Sequence, residues 1–175
     1  MGLQEATFES FDVGLNPSMR SALDQVSRVA SGEDWCAVLN GPPGLGKTHL
    51  AVAALHASVH PRPGLFFTHI GLLTWIRKRS FGEDARDTED DVLMFFQTNP
   101  ALVVLDDLGT AKQTEWAQQT LFAILNGRYE NRLPTILTLN SDFAGDALDE
   151  RLQSRFYAGG VECVGDDVRI KGASA

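Results

Sequence analysis

Gly41, Pro42, Pro43, Gly44, Leu45, Gly46, Lys47 and Thr48 satisfy the spacing G-x-x-x-x-G-K-[S/T] at every position. No other stretch of the chain restricts its fold so tightly. A loop of this kind works only between a buried strand and the first turn of a helix. Its glycines let successive backbone N–H groups face one anion, and the helix that follows adds the positive end of its dipole. Both neighbours are present. Trp35–Asn40 is an apolar run with strand character, and a helical pattern runs from Lys47 to His60, with Leu50, Ala53, Ala54 and Ala57 on one face and Pro61 as its stop.

The rest of the chain repeats the alternation. A helix starts at Asn16-Pro17, with Asn16 as cap, and runs to about Ala30. Leu65–Thr68 is a second strand. Leu72, Leu73 and Ile76 mark a short helix ending near Arg79, and Thr88-x-x-Asp91 is a capping box for another that reaches about Asn99. Ala101–Leu105 is a buried strand ending in Asp106-Asp107. Gln113–Tyr129 is helical, Pro134–Leu139 is a fourth strand ending at Asn140, Asp146–Phe156 is helical, and Val161–Val164 is a short fifth strand. Strands alternating with helices predict an α/β fold with a mostly parallel sheet. In such sheets ligands bind at the carboxyl ends of the strands, where this chain keeps its polar groups.

Those groups suit a nucleoside triphosphate. Lys47 sets a point charge on the β- and γ-phosphates, and the Thr48 hydroxyl belongs in the shell of a Mg²⁺ ion. An acid at the end of a second buried strand completes such a site. Asp106 is placed to hold Mg²⁺ through water and Asp107 to polarise the attacking water, although Asp-Asp could also open a turn toward Gly109. Asn140 can bond the γ-phosphate or the lytic water, or form a turn into Ser141.

Four segments together carry a resemblance: Gly41–Leu50, Leu102–Gly109, Asn126–Asn140 and Glu150–Phe156. They resemble the AAA+ ATPases of the DnaC/IstB type, bacterial and phage helicase loaders and transposition helper ATPases, over roughly Thr7 to Lys171. The resemblance implies a P-loop NTPase fold with a three-layer α/β/α core and five strands. Gly41–Thr48 would be its Walker A loop, Asp106 and Asp107 its Walker B acids, and Asn140 its sensor 1. Arg155 would be an arginine finger reaching a neighbouring subunit's γ-phosphate, with Arg151 one turn earlier as the second choice. Both arginines could instead pair locally with Asp149 and Glu150. Arg169 would touch nucleotide in cis. The implied function is ATP hydrolysis in a helicase loader, or alternatively a transposition helper or a nucleotide-switched scaffold with little turnover. Implied partners are ATP and ADP, a replicative helicase or transposase gripped through an N-terminal domain missing here, single-stranded DNA, and further copies in a ring or spiral. Little or no C-terminal lid fits in the chain. A single domain over residues 1–175 is expected, with residues 1–15 a linker near the nucleotide and residues 70–99 a two-helix insertion.

That insertion holds Arg77, Lys78, Arg79 and Phe81, a basic cluster with an aromatic that suits weak, salt-sensitive contact with single strands, or else a solvated helix end. Bulk coating of nucleic acid is excluded by a net charge of −8. No apolar run is long enough to span a membrane. Cys36 and Cys163 each sit in an apolar run and read as buried, reduced strand residues, which points to the cytoplasm. His56 and His60 lack a third metal ligand. Phe8 and Phe11 could lie near the adenine or be plain core, and Trp116 reads as packing. A small P-loop kinase would need an Arg-rich lid that the sequence lacks.

Overall fold

The computed structural model describes residues 3–14, 16–81, 85–111, 114–140, 148–165 and 167. Arg169 lies outside them. After a 3₁₀ turn at Pro17–Met19 come α1 (Arg20–Ala30), β1 (Cys36–Asn40), α2 (Lys47–His56), β2 (Leu65–Thr68), α3 (His69–Phe81), α4 (Glu89–Thr98), β3 (Val103–Leu108), α5 (Glu115–Glu130), β4 (Thr135–Leu139), α6 (Glu150–Phe156) and β5 (Gly160–Glu162). The strands form one sheet in the order β2-β3-β4-β1-β5, and every pairing is parallel.

Alternation along the strands builds the three layers. Cys36 and Val38 face one side with Val103, Leu105, Leu137 and Leu139, covered by α3, α4, α5 and α6. Ala37 and Leu39 face the other with Val104 and Ile136, covered by α1 and α2. Central strands buried on both faces must be apolar throughout, which is why β1 and β4 have no exposed position. No described helix is long and apolar enough to cross a membrane.

Some boundaries differ from expectation for local reasons. Asn16 stands at the expected cap position, but its Oδ1 accepts the Ser18 hydroxyl at 2.7 Å and caps no backbone N–H. α2 stops at His56, not His60, because Val59 N–H and His60 Nε2 turn to the carbonyls of Ala30 and Val29 at 3.1 and 2.8 Å. α3 runs on to Phe81. The capping box at Thr88 and Asp91 forms in both directions, an arrangement worth about 1 kcal/mol. α6 starts at Glu150, capped by Asp149, and the start expected at Asp146 lies outside the described residues. Cys163 falls just past β5, not within it, yet its N–H still bonds Asn40 O at 2.7 Å. Burial pushes the Cys36 and Cys163 thiols up to about 12 and about 11. They are packing residues.

The N-terminal segment lies down on α2. Ala6 is buried, and Phe8 and Phe11 pack on the α1/α2 side of the core. His56 Nδ1 is 2.8 Å from Ala6 O, and His49 Nε2 is 3.1 Å from both Thr7 O and Ser10 Oγ.

Candidate nucleotide site

β1 lies between β4 and β5 in the sheet, and residues 41–46 carry the chain from its end into α2. Gly46 is the N-cap of α2 at φ 95°, a left-handed conformation that side chains resist, and a Cβ there would stand 2.6 Å from the Phe11 ring. At Gly41, φ 142°, a Cβ would stand 2.0 Å from Cys163 O. The loop therefore keeps its curl only with glycine. The Asp167 carboxyl lies against Gly44. Lys47 is 5% exposed, and its ammonium donates to Gly41 O and Pro42 O, each at 2.7 Å.

The neighbouring strand ends deliver acids to the same place. β4 lies between β1 and β3, so Asn140 falls between the loop and the acid pair. The Thr48 hydroxyl donates to Asp106 Oδ1 and Oδ2 at 3.0 and 3.2 Å. Thr138 donates to Asp106 Oδ1 at 2.6 Å and accepts the Asp107 N–H at 3.0 Å. Burial pushes the Asp106 carboxyl above the ordinary range, against the bonds from Thr138 and Thr48 that favour its charged form; the charge of Asp107 raises it further and Lys47 lowers it. A buried carboxylate beside a threonine hydroxyl is the hard oxygen set that a small divalent cation takes.

Asp107 sits at φ 58° beside a register shift between Leu105 and Leu108. Left-handed backbone at a non-glycine costs roughly 1–2 kcal/mol. Four bonds hold it there: the N–H on Thr138, the carbonyl accepting the Thr110 hydroxyl at 2.7 Å and the Thr110 N–H at 3.4 Å, and Oδ1 accepting from Asn140 Nδ2. The bulge turns the second acid out of the sheet and against the amide at the end of β4.

The structure thus brings together Lys47, Thr48, Asp106, Asp107 and Asn140. Arg151 and Arg155 make their contacts elsewhere. Arg151 forms a two-pronged pair with Asp149 at 2.8 and 2.9 Å and lies 4.1 Å over the Phe122 ring, the local pairing weighed as its alternative. That pair holds the Asp149 carboxyl down at about 2. The Arg155 guanidinium stacks 5.6 Å from both Phe122 and Tyr129, and its Nη1 is buried with no hydrogen-bond partner among the described residues. A finger acts on a neighbouring copy, and within this one chain the Arg155 guanidinium rests against α5. The aromatic faces of α5 hold it.

Arg77, Lys78 and Phe81 of the insertion line a groove of about 460 Å³ with Trp116 of α5. Arg77 lies 4.5 Å over the Trp116 ring, Phe81 meets that ring edge-on and is 61% exposed, and Trp116 Nε1 donates to Glu89 at 2.7 Å. Arg79 turns away: it pairs with Asp87 and lies over Trp75. Trp116 is thus a groove wall as well as packing. His56 and His60 each set one ring nitrogen on a carbonyl, Nδ1 on Ala6 O and Nε2 on Val29 O.

Sequence reasoning missed Thr138 and His69. A threonine two residues before Asn140 in an apolar strand was the available signal, since it must spend its hydroxyl on a neighbour. His69 is 3% exposed, and burial pushes it below the ordinary histidine range.

Residues 3–152 match the family described as IstB-like ATP binding protein. An insertion-sequence ATP-binding protein of Mycobacterium tuberculosis is 30% identical over 145 residues, covering 78% of this chain and 53% of that protein. Among solved structures, the crystal structure of the DnaC helicase loader superposes with a TM-score of 0.74 at 26% identity, covering 93% of this chain and 98% of that one. The replication initiator DnaA bound to AMPPCP and single-stranded DNA gives 0.75 at 23% identity, covering 93% of this chain and 50% of that one. Both neighbours are AAA+ P-loop ATPase domains, and the fold here is theirs. The chain spans about half the length of the insertion-sequence relatives it matches.

Proposed function

The chain belongs to the IstB-like ATP binding protein family, and from that premise we propose that it is an ATP-hydrolysing AAA+ module that readies a protein–DNA assembly, acting as the helper of a transposase. The observation that carries the hydrolytic part is the bonded array Thr48–Asp106–Thr138–Asp107–Asn140 beside the glycine loop. An array that only bound phosphate would need no second acid turned out by a bulge.

In this reading the residues 41–48 wrap the triphosphate with backbone N–H groups. The Lys47 ammonium exchanges two carbonyls for phosphate oxygens. Thr48 and Asp106 would hold Mg²⁺, which would neutralise charge on the phosphates. Asp107 orients the attacking water and draws its proton, while Asn140 fixes that carboxylate. Arg155 leaves the Phe122 and Tyr129 rings to reach a neighbouring copy's γ-phosphate in a ring or spiral, with Arg151 behind it, and Arg169 contacts nucleotide in cis. The Arg77–Phe81–Trp116 groove takes single-stranded DNA weakly, one base against the rings and phosphates on the cations.

A second reading, a replicative helicase loader, is favoured by the likeness to DnaC along nearly all of that chain. The partner separates the two: stimulation by a transposase supports the first, stimulation by a hexameric helicase the second. The test of the shared chemistry is Asp107→Asn. It should keep ATP affinity and lower turnover by on the order of 10²-fold or more, the scale of a lost general base. Turnover equal to wild type, measured by phosphate release, removes Asp107 from the role.

A further inference from the structure

His69, Leu73, Arg77 and Phe81 follow one another at intervals of four and form a stripe along α3. Gly109 and Ala111, after β3, and Trp116 and Ala117, at the start of α5, meet this stripe. His69 Nδ1 accepts the Gly109 N–H at 3.2 Å. Leu73 is buried with Ala111 and Ala117. Arg77 and Phe81 both meet Trp116. One end of the stripe lines the groove, and the other bonds Gly109, two residues beyond Asp107.

The path from Asp107 to Gly109 has left-handed backbone at both ends, φ 58° and φ 90°. Local preference does not dictate such a path, so its hydrogen bonds must. Thr138, Asn140 and Thr110 supply bonds at Asp107, from β4 and from the loop itself. The bond at Gly109 comes from α3. With Nδ1 accepting, the imidazole proton sits on Nε2, which is buried with no partner among the described residues. A leucine would fill the same space without that defect. What the ring supplies, and leucine does not, is an acceptor for Gly109.

We propose that His69 is a positioning residue that carries the state of the Arg77–Phe81–Trp116 groove along α3 to the water-activating Asp107. Occupancy of the groove then alters turnover and leaves nucleotide affinity unchanged. This inference rests on the hydrolytic reading above and adds to it a route of regulation.

The test uses the full chain, ¹⁵N-labelled, with oligothymidylate as the probe. In wild type, adding the oligonucleotide should shift the Gly109 amide resonance. In His69→Leu that shift should vanish and the Gly109 amide should exchange faster. In the same variant turnover should fall about fivefold or more, the ordinary scale of a coupling between sites, with the ATP dissociation constant within about twofold. His69→Asn puts an amide oxygen in the place of Nδ1 and should restore both the shift and the rate, which a merely space-filling role would not produce. An unmoved Gly109 resonance in wild type overturns the proposal, whatever the variants do. So does His69→Leu with normal turnover and a normal shift. Zero turnover in wild type with a Gly109 shift that His69→Leu abolishes would instead overturn the hydrolytic reading and keep the coupling.

Discussion

Among the described residues, two cations are buried at opposite ends of the strands of one sheet, and they are satisfied in different ways. Arg128 lies beneath the amino ends of the strands, wholly buried. Its five N–H groups reach Thr135 Oγ1, Phe96 O, Asn99 O, Ala101 O and Pro134 O at 2.8–3.3 Å. Burial pushes it down to about 9, so it keeps its charge at neutral pH. Lys47 lies above the carboxyl end of β1, with its ammonium on two loop carbonyls. A guanidinium whose donors are all spent on fixed oxygens is part of the frame, tying α4 and β4 together. An ammonium parked on a glycine loop can trade those oxygens for a phosphate. Burial alone does not separate a structural cation from a binding one; the exchangeability of its acceptors does.

The comparison breaks most visibly at Arg128. Arg128→Met leaves four carbonyls and a hydroxyl without their donor and should cost roughly 3–5 kcal/mol, lowering the melting temperature by roughly 10 °C. Arg128→Lys should recover little of this, since three donors cannot serve five acceptors. A melting temperature unchanged in the methionine variant would show the cation to be dispensable. At the other edge, Lys47→Ala should move melting by only about 2 °C, because only two carbonyls are freed and Pro42, which carries one of them, is exposed to water. It should weaken ATP binding by on the order of 10²-fold, the lower range of a charge-assisted phosphate contact. Titration with a fluorescent ATP analogue reads this directly, and equal affinity would return Lys47 to the class of Arg128.

The smallest effect lies at Asp106. Its folded carboxyl titrates above its unfolded value, so the folded state holds protons that the unfolded state has lost. Stability therefore falls as pH rises past about 4. Asp106→Asn keeps an oxygen for Thr48 and Thr138. Without Mg²⁺ at pH 7 it should melt slightly higher than wild type, by about 2 °C, with the gap closing below pH 4. A wild type that melts higher would mean that Lys47 already balances the acid in full.

The nucleotide edge was legible in the sequence and the opposite edge was not. The glycine loop, the acids after an apolar strand and the asparagine after another announce themselves, because phosphate chemistry fixes both residue type and spacing. The strands were equally plain, as apolar runs of the right length. Arg128 sits in a helix between Gly127 and Tyr129 and reads as an ordinary solvated residue. Its partners are mostly main-chain carbonyls, which leave no trace in side-chain identity. Thr138 was hidden for a related reason, since a strand threonine reads as β propensity until the register sets it beside Asp106. Arg155 shows the converse. The family pattern named the residue, but its resting place between Phe122 and Tyr129 depends on how α6 packs on α5, which no motif encodes.

The segment preceding α1 has a mechanical meaning. His56 and His49 fasten it to α2 at two points, and Phe11 ends against Gly46, at the first turn of that helix. A pull on the start of the chain would load the helix that carries Lys47 and Thr48 before it loaded the sheet. The strap ends against the N-cap of that helix, so tension at the beginning of the chain and the set of the glycine loop bear on one short lever.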